Sequence, residues 1–241
     1  MARLRLFSDI HTEFHRDKGQ SFLRSIPHVD CDAVVLAGDV GDFATFPDFV
    51  RLVCAHFAPT PVLYVTGNHE HYHGDMAGVR QLLAKLTTEL PNLHSLDCSS
   101  VTIAGTKIAG ATFWFTDDPY NYEYQRMMND FRLIKDFVPA VFIENDRAKK
   151  FFLAEKPDVI VTHHLPCEAL VAPQYRGSNL NRFFVGATED YIPQVAPKVW
   201  LFGHTHEPTD TVFQGVRFVA NPFGYPAEPK DKYRDTLVVN V

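Results

Sequence analysis

No CxxC pair occurs in the sequence. The four cysteines, Cys31, Cys54, Cys98 and Cys167, are scattered, which excludes a zinc ribbon and suggests no disulfide framework, so they read as ordinary reduced thiols. No apolar run approaches the roughly 20 residues that a membrane helix needs. Residues 1–9 have neither the long apolar segment nor the small-residue cleavage site of a secretory leader. The expectation is a cytoplasmic protein with no membrane partner. Basic residues are outnumbered, 23 Lys and Arg against 29 Asp and Glu, for a net charge of -6. Coating nucleic acid requires the opposite balance, and Arg126, Arg132, Lys149, Lys150, Arg176 and Arg182 are too scattered to mark a basic groove, so polymeric nucleic acid is not an expected partner. Gly/Ser linkers, low-complexity tracts and internal repeats are missing as well. With 46% hydrophobic residues in 241 there is material for a sizeable core, and a single domain over 1–241 is expected.

Five short runs rich in β-branched and aromatic residues, at 4–8, 33–37, 62–66, 159–162 and 199–202, read as buried strands. Stretches of helical length at 45–57 and, after the third run, 76–90 give the rhythm of βαβ units and a largely parallel sheet. The segment 101–112 and the stretch "TDTVFQGVRFVAN" instead alternate about a turn and read as hairpins, so a mixed β system with more than one sheet is expected. Residues 117–132, "DDPYNYEYQRMMNDFR", have no clean period and read as a long loop or short helices. The aromatics at 120–124 suit packing and a substrate platform equally.

Each run ends in a polar cluster: "SDIHTE" with Asp9 and His11, "AGDVGD" with Asp39 and Asp42, "GNHEH" with Asn68 and His69, "VTHHLP" with His163 and His164, and "FGHTH" with His204 and His206. The carboxyl ends of parallel strands open onto one crevice, so residues far apart in sequence can meet there. Aspartates, an asparagine carbonyl and neutral imidazoles suit Mn, Fe, Zn and similar divalent ions, and the set is large enough for two. Adjacent cations need a shared anion, which an Asp at a central strand end can supply. Such a pair clamps a phosphoryl group and acidifies bound water, giving a hydroxide nucleophile at neutral pH.

Asp-x-His, Gly-Asp, Gly-Asn-His-Glu, a strand-terminal His and Gly-His-x-His, in this order from Asp9 to His206, resemble the calcineurin-like metallophosphoesterase superfamily, here a small bacterial single-domain member. One motif alone would be weak; five in order are specific. The resemblance implies an α/β fold of two facing mixed β-sheets flanked by helices, a four-layer α-β-β-α sandwich. It also implies two divalent metal ions, with manganese the first choice over iron, zinc or cobalt. Asp9, His11, Asp39 and His206 would hold one ion, and Asn68, His163, His204 and the same Asp39 the other. His69 would face the substrate as proton donor or charge stabiliser, oriented by Asp42. His164 is expected to bond a substrate phosphate oxygen or orient its neighbour, Glu70 to brace the loop, and His71 and His73 to be solvated.

Two arginines of better-known relatives are missing. Protein phosphatases of the superfamily extend the second motif to Gly-Asp-x-x-Asp-Arg-Gly, whose arginine grips phosphate with two hydrogen bonds; here Phe43 takes that place. The "NPRGY" of small bacterial members is "NPFGYP" here, and Asp42 stands where purple acid phosphatases carry a tyrosine ligand. Fewer cationic anchors favour a phosphodiester over a monoester dianion. Phe43, Phe223 and Tyr225 are then expected to touch an apolar leaving group, with Asn68 also near the substrate. The expected function is a binuclear phosphoric ester hydrolase acting on a small phosphorylated substrate, a phosphodiesterase in which hydroxide on the ions attacks phosphorus. The alternatives are a phosphomonoesterase or a nucleotide or lipid pyrophosphatase. A non-catalytic scaffold is disfavoured because every ligand position and His69 are filled.

Overall fold

Strands that are apolar on both faces need cover on both. In the computed structural model, which describes residues 1–241, this is the situation of β1 (Arg3–Phe7), β2 (Ala33–Ala37) and β3 (Val62–Val65), buried except at Arg3. They run parallel, with Leu4 opposite Ala33 and Val34 opposite Val62, and β3 pairs in the same sense with β4 (Leu93–Ser95). That register brings the carboxyl ends of all three strands level. The outer face is covered by α1 (Gln20–Ser25), α2 (Phe46–Phe57) and α3 (Met76–Glu89), which bury Phe22, Phe49, Val53, Val79 and Leu83 against it.

The second sheet begins with the hairpin β5 (Ser99–Ile103) and β6 (Thr106–Ala111), continues through β7 (Val159–Thr162) and β8 (Val199–Phe202), and ends with the hairpin β9 (Thr209–Phe213) and β10 (Val216–Ala220). Its order is β5-β6-β7-β8-β10-β9, parallel through the middle and antiparallel at both edges. Both hairpins turn on two residues of positive φ, Ala104-Gly105 and Gln214-Gly215, the geometry that matches the twist of paired strands. At the carboxyl terminus β11 (Val238–Asn240) pairs antiparallel with β1, giving the first sheet the order β11-β1-β2-β3-β4. Leu6, Val35 and Val65 of one sheet meet Ile108, Val161 and Leu201 of the other in a dry middle layer. This is the four-layer sandwich that the resemblance implies.

Between β6 and β7 the chain forms α4 (Asn121–Tyr124), α5 (Asp130–Leu133) and α6 (Phe137–Glu155). The first two are the short helices anticipated for 117–132. The third, whose backbone breaks from helical geometry at Val138 before running on to Glu155, was not foreseen. Its buried positions Phe137, Val141, Asn145, Ala148 and Phe152 keep helical spacing, but Pro139 stands near the start and a polar residue occupies mid-stripe. Asn145 is tolerated there because its amide donates to the carbonyls of Gly186, at 2.8 Å, and Trp114. A last short helix, α7 (Ile192–Val195), precedes β8 and joins α6 on the outer face of the second sheet. All four cysteines are free, and no helix is long and apolar enough to cross a membrane.

Candidate metal centre and its cleft

The loops that leave β1, β2 and β8 bend sharply back over the sheets. Asp9, His11, Asp39, His204 and His206 adopt left-handed backbone, with φ between 48° and 65°, a conformation that costs about 1–3 kcal/mol for a non-glycine residue and persists only where its surroundings enforce it. Here the enforcement comes from hydrogen bonds between loops: Asp9 N to Gly38 O and His11 N to Asp39 O at 3.0 Å, Gly203 N to His163 O at 3.0 Å, and His204 N to the Asp9 carboxylate at 2.9 Å. Gly67 is required by close approach, since a Cβ there would lie 2.1 Å from Asp39 Oδ1 and 2.7 Å from His163 Cε1.

These turns bring the strand-end residues together. Asp9, His11 and His206 each aim one donor atom into a common space; so do His11, Asp39 and His69, and Asp39, His163 and His204, with the atoms of each set all within 4.8 Å of one another. His11 Nε2 faces His206 Nε2 at 3.1 Å, and His163 Nε2 faces His204 Nδ1 at 3.1 Å and Asn68 Oδ1 at 3.1 Å. Two imidazole lone pairs at that separation repel unless a proton or cation lies between them, and the arrangement occurs twice. Burial works to lower the His163 pKa, but Asp39 and Asp9 carry it up to about 10, while burial and the facing His164 and His163 hold His204 well below its ordinary value. Burial would raise Asp39, yet the imidazoles of His163, His69 and His11 keep it well below the carboxylate range. The pocket thus favours positive charge beside Asp39.

The rear of three imidazoles is fixed, while His204 Nε2 is buried without a partner. His163 Nδ1–H donates to Ala37 O at 2.9 Å and His206 Nδ1–H to Glu228 Oε2 at 2.9 Å, while His11 Nδ1 meets Glu13 Oε1 at 3.2 Å; in this tautomer Nε2 presents a lone pair inward. Asn68 donates its NH₂ to Tyr72 Oη at 3.0 Å and Asp130 Oδ1 at 2.9 Å, so its carbonyl oxygen points at the same space. The donor set therefore fits two divalent ions. Glu13, Asp130 and Glu228 were not foreseen; Glu13 lies inside "SDIHTE", but no local signal marks the other two.

His69 corrects another expectation. Its Nδ1 bonds Glu13 Oε1 at 2.7 Å, whereas Asp42 Oδ1 accepts from Thr45 N at 3.0 Å and Thr45 Oγ1 at 2.7 Å, closing the turn into α2. Glu13, not Asp42, orients His69. Burial opposes ionisation of Glu13, but the bonds to His11 and His69 bring its pKa down to about 2. For His69 burial is likewise outweighed, by Asp39 and Glu13, and the pKa rises to about 9.

Among the remaining candidates, Glu70 does brace the loop: its buried carboxylate accepts from Gly67 N, Asp39 N, Val40 N and Tyr64 Oη. His73 is exposed, as expected, but His71 is buried against Trp114 with neither ring nitrogen bonded. His164 is fully buried, its ring 4.4 Å from that of His204 and 5.0 Å from Trp114, so it backs His204 and does not reach a phosphate. Phe43 lies on Gly74 and Gly78, where side-chain-free backbone leaves room for its ring, and Phe223 packs on Phe22 and Tyr233; neither lines the cleft. Asn68, with its amide nitrogen engaged below, serves the inner space and not the cleft. Tyr225 does line the cleft, its ring 4.4 Å from His11 and 4.6 Å from His206 and its hydroxyl 3.4 Å from His69 Nε2. Tyr124 bonds Asn179 and Arg182 covers Tyr120 and Tyr124, while Tyr120 and Tyr122 stay exposed; none of the three lines the cleft.

Above the donor atoms opens a cavity of about 410 Å³. Asp39, His69, His204 and His206 form its floor, and apolar side chains from 165–184 and 127–128 its walls; no lysine or arginine is among the 19 lining residues.

The family model for calcineurin-like phosphoesterases matches residues 2–208. Uncharacterized protein L509 of Acanthamoeba polyphaga mimivirus is 24% identical over 95% of this chain and 93% of its own. Of solved structures, the phosphopantetheinyl hydrolase PptH of Mycobacterium tuberculosis aligns with a TM-score of 0.75 at 18% identity, covering 99% of this chain and 95% of that one. TT1561 of Thermus thermophilus aligns at 0.62 and 13% identity, over 92% and 89%. At such identities the two structures speak to a shared fold.

Proposed function

The chain belongs to the calcineurin-like phosphoesterase family, hydrolases of phosphoric esters, and from that premise we propose that it is a phosphodiesterase working with two divalent ions. One observation carries the reading: the donor atoms converge on the floor of a cavity that contains no lysine or arginine. Asp9, His11, Asp39 and His206 would hold one ion, and Asn68, His163, His204 and Asp39 the other. When bound, two such ions supply Lewis-acid stabilisation of charge on phosphoryl oxygens and acidify water. Manganese is our first choice, and the ligand types also admit iron, zinc and cobalt.

The chain's own residues do the rest. Asp39, the acid shared by two of the converging sets, would screen one cation from the other. His69, tethered at Nδ1 by Glu13 and pushed up to about 9 by Asp39 and Glu13 against burial, presents Nε2 on the cavity side beside Tyr225, placed to pass a proton to the departing alcohol oxygen. A monoester dianion brings one more negative charge than a diester into a floor that already contains Asp39, with Glu228 at its side and no cationic side chain in the lining. The diester is the better match. The test is hydrolysis of paired nitrophenyl diester and monoester substrates by metal-stripped protein reloaded with Mn²⁺, with the diester expected to lead in kcat/KM and His69→Ala to lower kcat about 10²- to 10⁴-fold on a diester of an unactivated alcohol, which needs the proton that nitrophenolate does not. A faster monoester would leave a phosphomonoesterase instead.

A further inference from the structure

The polar floor of the cleft continues into a wall of different character. Leu165 follows the ligand His163 by two residues, and the Phe184 ring lies 4.4 Å from the ring of His204, so the wall starts at the metal centre. It is stitched together by Leu165 N to Phe184 O and Gly186 N to Leu165 O, both 2.9 Å, and is therefore preformed. Val171 and Leu180 extend it, and Met127 and Met128 also line the cavity, Met128 packing on the same cluster as Leu180 and Phe184. Some of the polar side chains here are held by the protein itself: Asn181 Nδ2 donates to Glu168 Oε1 and Tyr175 O, Asn129 Oδ1 accepts from Arg132, and Ser178 Oγ accepts from Leu180 N. Fewer groups are thereby left free to read the hydroxyls of a sugar, and no cation stands in the lining to meet a second phosphate. At the mouth Met127 and Tyr175 keep 65% and 56% of their surface exposed, and methionine adapts its shape to whatever covers it.

We propose that this wall binds an extended, uncharged, predominantly apolar ester substituent of the substrate, so that the enzyme selects phosphodiesters of long apolar alcohols over those of sugars and over substrates with a second phosphate. The proposal rests on the phosphodiesterase reading for its choice of ester, but the wall can be probed without turnover. Monoalkyl methylphosphonates carry one negative charge, mimic a diester and resist hydrolysis. Calorimetric titration of the methyl to hexyl series into Mn²⁺-loaded protein is expected to show Kd falling by about fourfold per buried methylene, with an increasingly negative heat-capacity change. The chain-length dependence should flatten in Val171→Asp and, should that variant fold poorly, in Met127→Lys at the exposed mouth. A Kd that changes by less than about twofold from methyl to hexyl overturns the proposal, as does full chain-length dependence in a folded Val171→Asp or Met127→Lys. Diester turnover is a separate readout: a protein that hydrolyses only monoesters yet binds longer alkyl chains more tightly loses the diesterase reading and keeps the apolar wall.

Discussion

Glutamine at position 70 should destabilise the metal-free protein by about 2–4 kcal/mol. The wild-type carboxylate is fully buried and takes four hydrogen bonds: Gly67 N at 2.6 Å and Asp39 N at 3.1 Å on Oε2, Val40 N at 2.8 Å and Tyr64 Oη at 2.8 Å on Oε1. Glu70→Gln keeps the volume but converts one acceptor into a double donor. Turned toward Gly67 and Asp39, the new NH₂ strands two backbone N–H groups. Turned the other way it strands only Val40 N, because the Tyr64 hydroxyl can rotate and accept. The second orientation wins, and one orphaned donor at about 1–3 kcal/mol, together with loss of charge assistance on the surviving bonds at pH 8, above the Glu70 pKa that burial and Asp39 raise to about 7, gives the stated range. For a chain of this size about 1 kcal/mol moves Tm by about 2–4 °C, so thermal unfolding followed by circular dichroism in chelator should show a drop of about 4–16 °C. A Tm within about 2 °C of wild type would refute the reasoning, since it would mean that the loop holding Asp39 and Gly67 does not depend on this carboxylate.

Glu13→Gln should lower kcat about ten- to a hundredfold as His69 loses its anchoring anion, while Asp42→Ala leaves kcat intact and costs about 1 kcal/mol as a lost turn cap; the reverse pattern in steady-state kinetics would restore Asp42 as the orienting acid. Chelation should lower Tm by about 10–20 °C, because each of two ions at a hundred times its Kd adds about 2.7 kcal/mol; Asp39→Asn should abolish most of that shift in a thermal melt, and a Tm indifferent to chelator would count against the metal centre. Buried His71, lowered by burial to about 4, sits below its unfolded value of about 6.5. Its contribution is therefore present above pH 6.5 and lost as pH falls toward 4, by about 3 kcal/mol. His71→Phe should flatten the acid loss of Tm in metal-free protein over that window, and an unaltered profile would contradict the assignment.

The strand ends are legible in the sequence because each one couples a local apolar run to the polar residues that follow it, and parallel pairing then places those residues in one crevice without further information. Three-residue strands such as β4 and β11 escape notice, since pairing partners rather than their own pattern define them. Helix α6 escapes because Asn145 interrupts its stripe for the sake of two carbonyls on other elements. The supporting acids show the same limit. Glu13, Asp130 and Glu228 matter through contacts with His69, Asn68 and His206, which lie 56, 62 and 22 residues away in sequence, and it was the family resemblance that pointed to Asp42 as the anchor of His69. Of three aromatics read as contacts for a leaving group, Phe43 and Phe223 join the core and only Tyr225 reaches the cleft. The apolar wall that replaces them comes from 165–184, a run of short turns whose side chains have no period to read.

Counting the ions is the most direct test of the central claim that these strand ends form a two-ion centre. Metal-stripped protein would be titrated with Mn²⁺ and the bound metal determined per chain, alongside Asp39→Asn and His69→Ala. The account predicts two ions per chain in the wild type and in His69→Ala, with occupancy of both lost or weakened in Asp39→Asn. One ion per chain, or two that bind Asp39→Asn as tightly as wild type, would contradict it.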